Sequence, residues 1–113
     1  MAFDGVLGFS NGAAAAAMLL AREPPPLRFA LFAGGYLPTA LLDHLPIAIP
    51  SLHMMGSADE LVPVEDSLRL QGLFDRPRQV LHEQGHIVPQ RSAQMAEILS
   101  FLRDQIGAVR LSV

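Results

Sequence analysis

Three short segments carry side chains that together could perform acyl transfer. The first is GFSNG at residues 8–12, which matches the pattern G-x-S-x-G. Serine is a weak nucleophile at its ordinary pKa, so it needs a base to take its proton and an acid to orient that base. His86 and Asp59 can supply these groups. We therefore treat Ser10, His86 and Asp59 as a candidate nucleophile, base and acid.

The serine segment lies between a predicted strand and a predicted helix. An apolar run at residues 6–9 indicates the strand, and the alanine-rich stretch 13–21 favours the helix. A serine on such a turn projects its oxygen above the sheet, and side chains in place of Gly8 and Gly12 are expected to collide with neighbouring backbone. The start of the helix also favours negative charge that develops nearby. The alternative is a glycine-rich turn in which Ser10 is an ordinary N-cap residue.

The remaining chain alternates strand and helix patterns. We predict strands at Phe29–Ala33, Ser51–Met55 and Arg78–His82, a loop at Tyr36–Pro50, and helices at Glu65–Phe74 and Ala93–Ile106, with Gly107 placed to end the last helix. Apolar strands that alternate with helices indicate a parallel sheet covered on both faces, so the predicted class is α/β with three layers, α/β/α. Loops after parallel strands open at one edge, where Ser10, Asp59 and His86 can converge.

Several other residues compete for roles at this edge. Glu60 adjoins Asp59 and could be the acid instead, and His82 is a rival base at a strand end. His53 lies in a predicted buried strand, where a core histidine is the simpler interpretation. Gly35 and Tyr36, with the glycine before them, follow the second predicted strand and could line an acyl pocket, although a plain turn fits equally well.

Beyond these single positions, the chain resembles the FSH-type serine hydrolases, which are α/β-hydrolases. The resemblance rests on FDGVLGFSNGA at residues 3–13, on the Asp59 segment that ends in Val-Pro, on Gly-His at 85–86, and on the order Ser, Asp, His that this fold uses. It implies Ser10 as nucleophile, His86 as base and Asp59 as orienting acid, with a carboxylic ester or thioester as substrate. Asn11 stands where the family more often has glutamine, which leaves its N–H available to the oxyanion hole.

The position of the serine segment departs from this family pattern. Such hydrolases normally have several strands before the nucleophile, and an early loop donates the second oxyanion-hole N–H. We therefore expect residues 1–113 to form a single domain that corresponds to the later portion of a truncated α/β-hydrolase fold, with activity reduced by on the order of 10²–10³ for the missing donor. The alternative is a catalytically silent remnant that acts as a binding or assembly module. The strand at Gly5–Phe9 would be an exposed apolar edge, so we expect a homo-oligomer.

Composition excludes several other classes of function. The formal net charge is −3 and the eight Lys and Arg residues are scattered, which argues against nucleic acid as a partner. The chain has no cysteine, and its His, Asp and Glu residues lack metal-ligand spacing, so neither a metal nor another cofactor is implied. No segment approaches the roughly 20 apolar residues of a membrane span. We expect a soluble, cytoplasmic protein that binds a small-molecule acyl substrate.

Overall fold

The computed structural model describes residues 3–111, with side chains described for residues 3–107. The elements are β1 (Gly5–Phe9), α1 (Asn11–Leu20), β2 (Phe29–Ala33), β3 (Ile47–Gly56), α2 (Val64–Gln71), β4 (Phe74–His82) and α3 (Ser92–Leu111). The four strands form one sheet in the order β1-β2-β3-β4, and every neighbouring pair is parallel. The predicted α/β class with its parallel sheet is confirmed.

Helices cover both faces of the sheet, so the three predicted layers are also confirmed. On one face, α1 and α2 bury Leu20 and Leu70 against Phe32 of β2. On the other face, Ile98 and Phe101 of α3 pack against buried residues of β2, β3 and β4. The small alanines of α1 allow its backbone to lie close to the sheet, which brings the beginning of this helix directly behind the end of β1.

Four predicted boundaries are wrong, for identifiable physical reasons: the start of β3, the end of α2, the start of β4 and the end of α3. Strand β3 begins at Ile47 rather than at residue 51, because buried Ile47 and Ile49 alternate with an exposed alanine and Pro50 lies beside an irregularity in the ladder. Phe74 starts β4 instead of ending α2, since its ring packs into the core beside the sheet. Helix α3 continues past Gly107 to Leu111, because glycine weakens a helix interior by about 1 kcal/mol and does not by itself end it.

Strand β1 forms one edge of the sheet within residues 3–111. It pairs with β2 from Gly5 to Phe9, and no other described strand lies beside it. Leu7 and Phe9 are 54% and 40% exposed, because α3 lies over β3 and β4 and leaves this end of the sheet uncovered. The described helices include none that is long and apolar enough to cross a bilayer.

Candidate active site

The carboxyl ends of the four strands carry the residues of the candidate site. Ser10 follows β1 directly, Gly34 follows β2, Asp59 lies three residues after β3, and His86 lies four residues after β4. Because all four strands are parallel, these positions share one edge of the sheet. The convergence that the sequence predicts therefore occurs in the structure.

Ser10 has an unusual backbone conformation, with φ 55° and ψ −117°. Its N–H donates to the carbonyl oxygen of Ala33 at 3.0 Å, which ties the turn to the end of β2. The Ser10 side chain makes no capping hydrogen bond to α1, so the alternative in which it is an ordinary N-cap residue is wrong. A strained turn that frees the hydroxyl from a capping role is typical of a nucleophile elbow.

The two glycines of this segment differ in importance. A side-chain carbon at Gly8 would lie 2.7 Å from the Cα atom of Ala13, so the close approach of α1 to β1 requires glycine there. A side-chain carbon at Gly12 would meet nothing within 4 Å. The expected collision is confirmed at Gly8 and is wrong at Gly12.

A continuous chain of hydrogen bonds joins the three candidate residues. The Nε2 atom of His86 lies 2.9 Å from the Oγ atom of Ser10, and Nδ1 of His86 lies 2.7 Å from Oδ2 of Asp59. An ionised Asp59 accepts only, which assigns the proton of the neutral ring to Nδ1 and leaves Nε2 to accept from the serine hydroxyl. This arrangement can transfer the Ser10 proton to His86 while Asp59 stabilises the resulting imidazolium.

Asp59 is held in place by the loop that carries it. Its side chain is 1% exposed, and Oδ1 accepts the N–H groups of Leu61 at 2.9 Å and Val62 at 2.8 Å. Burial raises the pKa of Asp59, but the hydrogen bonds from Val62, His86 and Leu61 outweigh it and leave the pKa below its ordinary value. The carboxylate is therefore ionised at neutral pH. The neighbouring Glu60 is exposed, and the acid in contact with the imidazole is Asp59.

Backbone hydrogen bonds join the loop that carries the acid to the loop that carries the imidazole. The N–H of Ser57 donates to the carbonyl of His82 at 2.8 Å, and the N–H of Ala58 donates to the carbonyl of Gln84 at 3.1 Å. A side-chain carbon at Gly56 would lie 2.3 Å from the Gln84 oxygen, so this close approach requires glycine. The spacing between Asp59 and His86 is thus set by an extension of the β3–β4 pair.

The other histidines take structural positions. His82 is buried, its Nδ1 atom accepts the N–H of Gln84 at 3.2 Å, and burial lowers its pKa. The ring that contacts Ser10 is that of His86. His53 is 1% exposed, bonds the hydroxyl of Ser51 at 2.9 Å, and stacks on Phe32, and burial lowers its pKa to about 3. It is a neutral core histidine, as the sequence indicates.

The loop after β2 places Gly35 and Tyr36 differently. Gly35 is buried, and its carbonyl oxygen accepts the hydroxyl of Ser67 at 2.7 Å. A side-chain carbon there would lie 2.5 Å from the Leu70 side chain, so this glycine serves the packing of α2. The Tyr36 hydroxyl donates to Oδ1 of Asn11. Tyr36 also borders an open groove of about 330 Å³, whose other lining residues are Leu37, Leu61, Val62, Asp66 and Arg69.

Two contacts of the His86 ring were not predicted from the sequence. The ring of Phe9, the residue before the serine, lies with its centroid 4.8 Å from that of His86 at an interplanar angle of 38°. Gly34 has φ +55°, and a side-chain carbon there would lie 2.8 Å from both Cε1 and Nδ1 of His86. The available signals were an aromatic residue inside the serine segment and a double glycine at the end of β2.

Known proteins with the same fold include hydrolases. The crystal structure of Zea mays acyl-protein thioesterase 2 superimposes with a TM-score of 0.70 at 23% identity, and the match covers 89% of this chain and 55% of that chain. At this level of identity the likeness shows the fold, which is that of the α/β-hydrolases.

Sequence comparison defines the family within that fold. Residues 1–98 match the family described as "Serine hydrolase (FSH1)", and the chain belongs to this family. Esterase C25G4.2 of Caenorhabditis elegans is 36% identical over 116 residues, which cover 92% of this chain and 52% of that protein. Esterase OVCA2 of Bos taurus is 37% identical over 112 residues, which cover 88% of this chain and 49% of that protein. The chain thus spans about half the length of these relatives.

Proposed function

We propose that this chain hydrolyses carboxylic esters or thioesters through an acyl-enzyme on Ser10. The observation that supports this is the unbroken hydrogen-bonded chain from Ser10 Oγ through His86 to Asp59. His86 takes the Ser10 proton as the oxygen attacks the acyl carbonyl carbon, and then gives that proton to the departing alcohol or thiol. Water then attacks the acyl carbonyl carbon as His86 takes one of its protons, and His86 gives that proton to Ser10 Oγ as the bond to the acyl group breaks and the carboxylic acid leaves.

The negative charge that forms on the carbonyl oxygen requires hydrogen-bond donors. Asn11 is the first residue of α1, so its N–H has no carbonyl four residues earlier within the helix to bond. We assign this N–H, at the positive end of the helix, as one oxyanion donor. The groove beside Tyr36 is the proposed place for the acyl or alcohol part of the substrate, since the Tyr36 hydroxyl contacts Asn11 next to the nucleophile.

An activity-based probe tests the proposal directly. A fluorophosphonate should label the protein at Ser10, located by peptide mapping, and Ser10→Ala should abolish labelling and the hydrolysis of 4-nitrophenyl acetate. Ser57→Ala is the matched control, because Ser57 is an exposed serine at the same edge of the sheet and has no contact with the His86 ring among the described hydrogen bonds. A folded protein that reacts with neither reagent would refute the hydrolase.

A second candidate function is an assembly module, and the exposed edge of β1 is the observation that favours it. Phe3 and Leu7 are 71% and 54% exposed beside backbone groups that face no other described strand. We propose that two copies of the chain associate through this edge, because unpaired apolar strand edges recruit other strands.

Analytical ultracentrifugation separates the two proposals. At micromolar concentration the chain should sediment as a dimer or larger species, and Leu7→Lys should shift it toward monomer. Leu41→Lys provides the control, since Leu41 is 100% exposed and lies outside the sheet. A stable wild-type monomer would contradict association through β1, and a dimer that the probe fails to label would favour the assembly module over the hydrolase.

A further inference from the structure

Phe9 is an exposed aromatic residue that contacts the proposed base. It stands immediately before Ser10 at the end of β1, is 40% exposed, and has its ring 4.8 Å from the His86 ring. Leu7 lies two residues earlier on the same face of the strand and is also exposed. The described core clusters include neither residue. Core packing therefore does not account for an aromatic ring at position 9.

The His86 imidazole needs a contact of this kind. Its two ring nitrogens are bonded to Ser10 and Asp59, at 2.9 and 2.7 Å. These two bonds fix the two nitrogen atoms, and the remaining tilt of the ring about the line that joins them is limited by the bond to Cβ and by the directionality of the hydrogen bonds. His86 also lies in a loop between β4 and α3, so no regular element restrains its side chain. Contacts on the ring itself supply the further restraint on its tilt.

We propose that Phe9 is a positioning residue that holds the His86 ring at the tilt required for proton transfer from Ser10. This inference rests on the proposed hydrolase function. Phe9 restrains the ring by aromatic packing, and the backbone at Gly34 restrains it by close approach, since a side-chain carbon there would overlap Cε1 and Nδ1. The ring then stays aligned with both hydrogen-bond partners while the proton moves, as proton transfer requires.

Substitutions at position 9 should lower the rate of acylation without weakening substrate binding. An aromatic contact of this type corresponds to a factor of about three to ten, so Phe9→Leu should lower kcat and the fluorophosphonate labelling rate by about that factor, and Phe9→Ala by at least as much. KM for 4-nitrophenyl acetate should stay unchanged, and Phe9→Tyr should retain wild-type kcat. The matched control is Leu99→Ala, because Leu99 is an apolar residue of similar exposure, 42%, on α3, and it should leave both rates unchanged. An equal loss in Leu99→Ala would overturn the proposal.

A double-mutant cycle shows whether Phe9 acts through His86. In a His86→Ala background, residual labelling of Ser10 should be the same with Phe9 or with Phe9→Ala, because the residue to be positioned is absent. Multiplying losses in the double variant would show that Phe9 acts elsewhere and would overturn the inference.

A spectroscopic readout separates this inference from the proposed function. The Cε1–H resonance of His86 should be a single sharp signal in the wild type and in Leu99→Ala, and should broaden or double in Phe9→Ala as the ring samples other tilts. Wild-type protein that the probe fails to label would contradict the hydrolase, whereas a sharp, unshifted His86 signal in Phe9→Ala would contradict only the role of Phe9.

Discussion

The two sides of the candidate site are held by different means. On the acid–base side, Asp59 is buried, accepts two backbone N–H groups, and lies on a loop that is hydrogen-bonded to the loop of His86. On the nucleophile side, Ser10 follows a five-residue edge strand and has one backbone hydrogen bond to Ala33. Strand β3 pairs with β4 from Ile47 to Gly56, with one irregularity between Ile47 and Pro50, whereas β1 pairs with β2 over five residues.

This difference indicates where precision in the site comes from. The distance between Asp59 and His86 is a consequence of the backbone, so it persists as long as β3 and β4 remain paired. The alignment of Ser10 depends instead on a strained turn and on individual contacts of the His86 ring with Phe9 and Gly34. Substitutions of the residues that contact the His86 ring should therefore lower kcat while the protein stays folded. Substitutions in the core below the site loops should instead lower the free energy of unfolding.

Among variants that keep the Ser10 nucleophile, the largest expected effect is that of Asp59→Asn. The asparagine oxygen can still accept the N–H groups of Leu61 and Val62, but its amide N–H₂ would then face Nδ1 of His86 and favour the tautomer with its proton on Nε2. That tautomer cannot accept the Ser10 proton, so kcat/KM for 4-nitrophenyl acetate should fall by on the order of 10³–10⁴. Chemical denaturation should show that the variant still folds cooperatively.

Glu60→Gln is the control for the acid assignment. Glu60 adjoins Asp59 in sequence but is exposed, so kcat/KM should stay within twofold of the wild type. A loss of activity in Glu60→Gln with little effect of Asp59→Asn would reverse the assignment and would remove the distinction between the acid–base side and the nucleophile side.

A pair of glycine variants tests how much the ring contacts matter. Alanine at position 34 would have φ +55°, which costs about 1–2 kcal/mol of stability, and its Cβ would lie 2.8 Å from the His86 ring. The ring must shift, and a displacement of about 1 Å can lower the rate by about 10², so kcat of Gly34→Ala should fall to that extent.

Gly12→Ala is the partner variant in this comparison. It adds the same atom to the serine segment itself, where nothing lies within 4 Å, and it should keep wild-type kcat. Equal losses in Gly34→Ala and Gly12→Ala would mean that the site responds to any change near Ser10 and not to the placement of the His86 ring.

The sequence predicts the strands and loops that carry the site residues well, because the patterns that indicate them span only a few residues each. The apolar runs of β1 and β2 and the order of Ser10, Asp59 and His86 are enough to bring three loops to one edge, and the structure has them there. Local signals also explain the wrong boundary at Ile47, because the prolines at positions 46 and 50 outweighed an alternation of only three residues.

Contacts that depend on strand register could not be predicted in the same way. Phe9 meets His86 only because the register places the end of β1 level with Val80, two residues before β4 ends, and a sequence does not give the register between strands 70 residues apart. Gly35 shows the converse: it lies two residues after β2, as is expected of a pocket residue, yet its carbonyl accepts the Ser67 hydroxyl and a side-chain carbon there would collide with Leu70 of α2. Position at the edge is therefore necessary for a role in the site but is not sufficient.

Stability should depend on pH through His53, which lies in β3 below the acid loop. Burial lowers its pKa to about 3, whereas in the unfolded chain it titrates near 6.5. Below pH 6.5 the unfolded state binds the extra proton, so the free energy of unfolding should fall by about 2 kcal/mol between pH 7 and pH 5. His82, whose pKa is also lowered by burial, contributes in the same direction.

Urea denaturation at the two pH values measures this effect. His53→Gln should remove most of the difference between pH 7 and pH 5, whatever its stability at pH 7. His44→Gln is the control, since His44 is exposed, and it should keep the full difference. An identical pH dependence of the free energy of unfolding in His53→Gln and the wild type would show that a buried neutral His53 does not cause the loss of stability at low pH.

The smallest expected effect concerns the bond that ties the loop after β2 to α2. Ser67→Ala removes the hydroxyl that donates to the buried carbonyl of Gly35 and should lower the free energy of unfolding by about 1–2 kcal/mol. Ser100→Ala, at an exposed helix position, should change it by less than about 0.5 kcal/mol. Because the bond anchors Gly35 and not the His86 ring, kcat of Ser67→Ala should stay near the wild-type value below the unfolding temperature. A large loss of kcat in a stably folded Ser67→Ala would mean that the nucleophile side is aligned through α2. Both sides of the site would then be held by hydrogen bonds to the backbone.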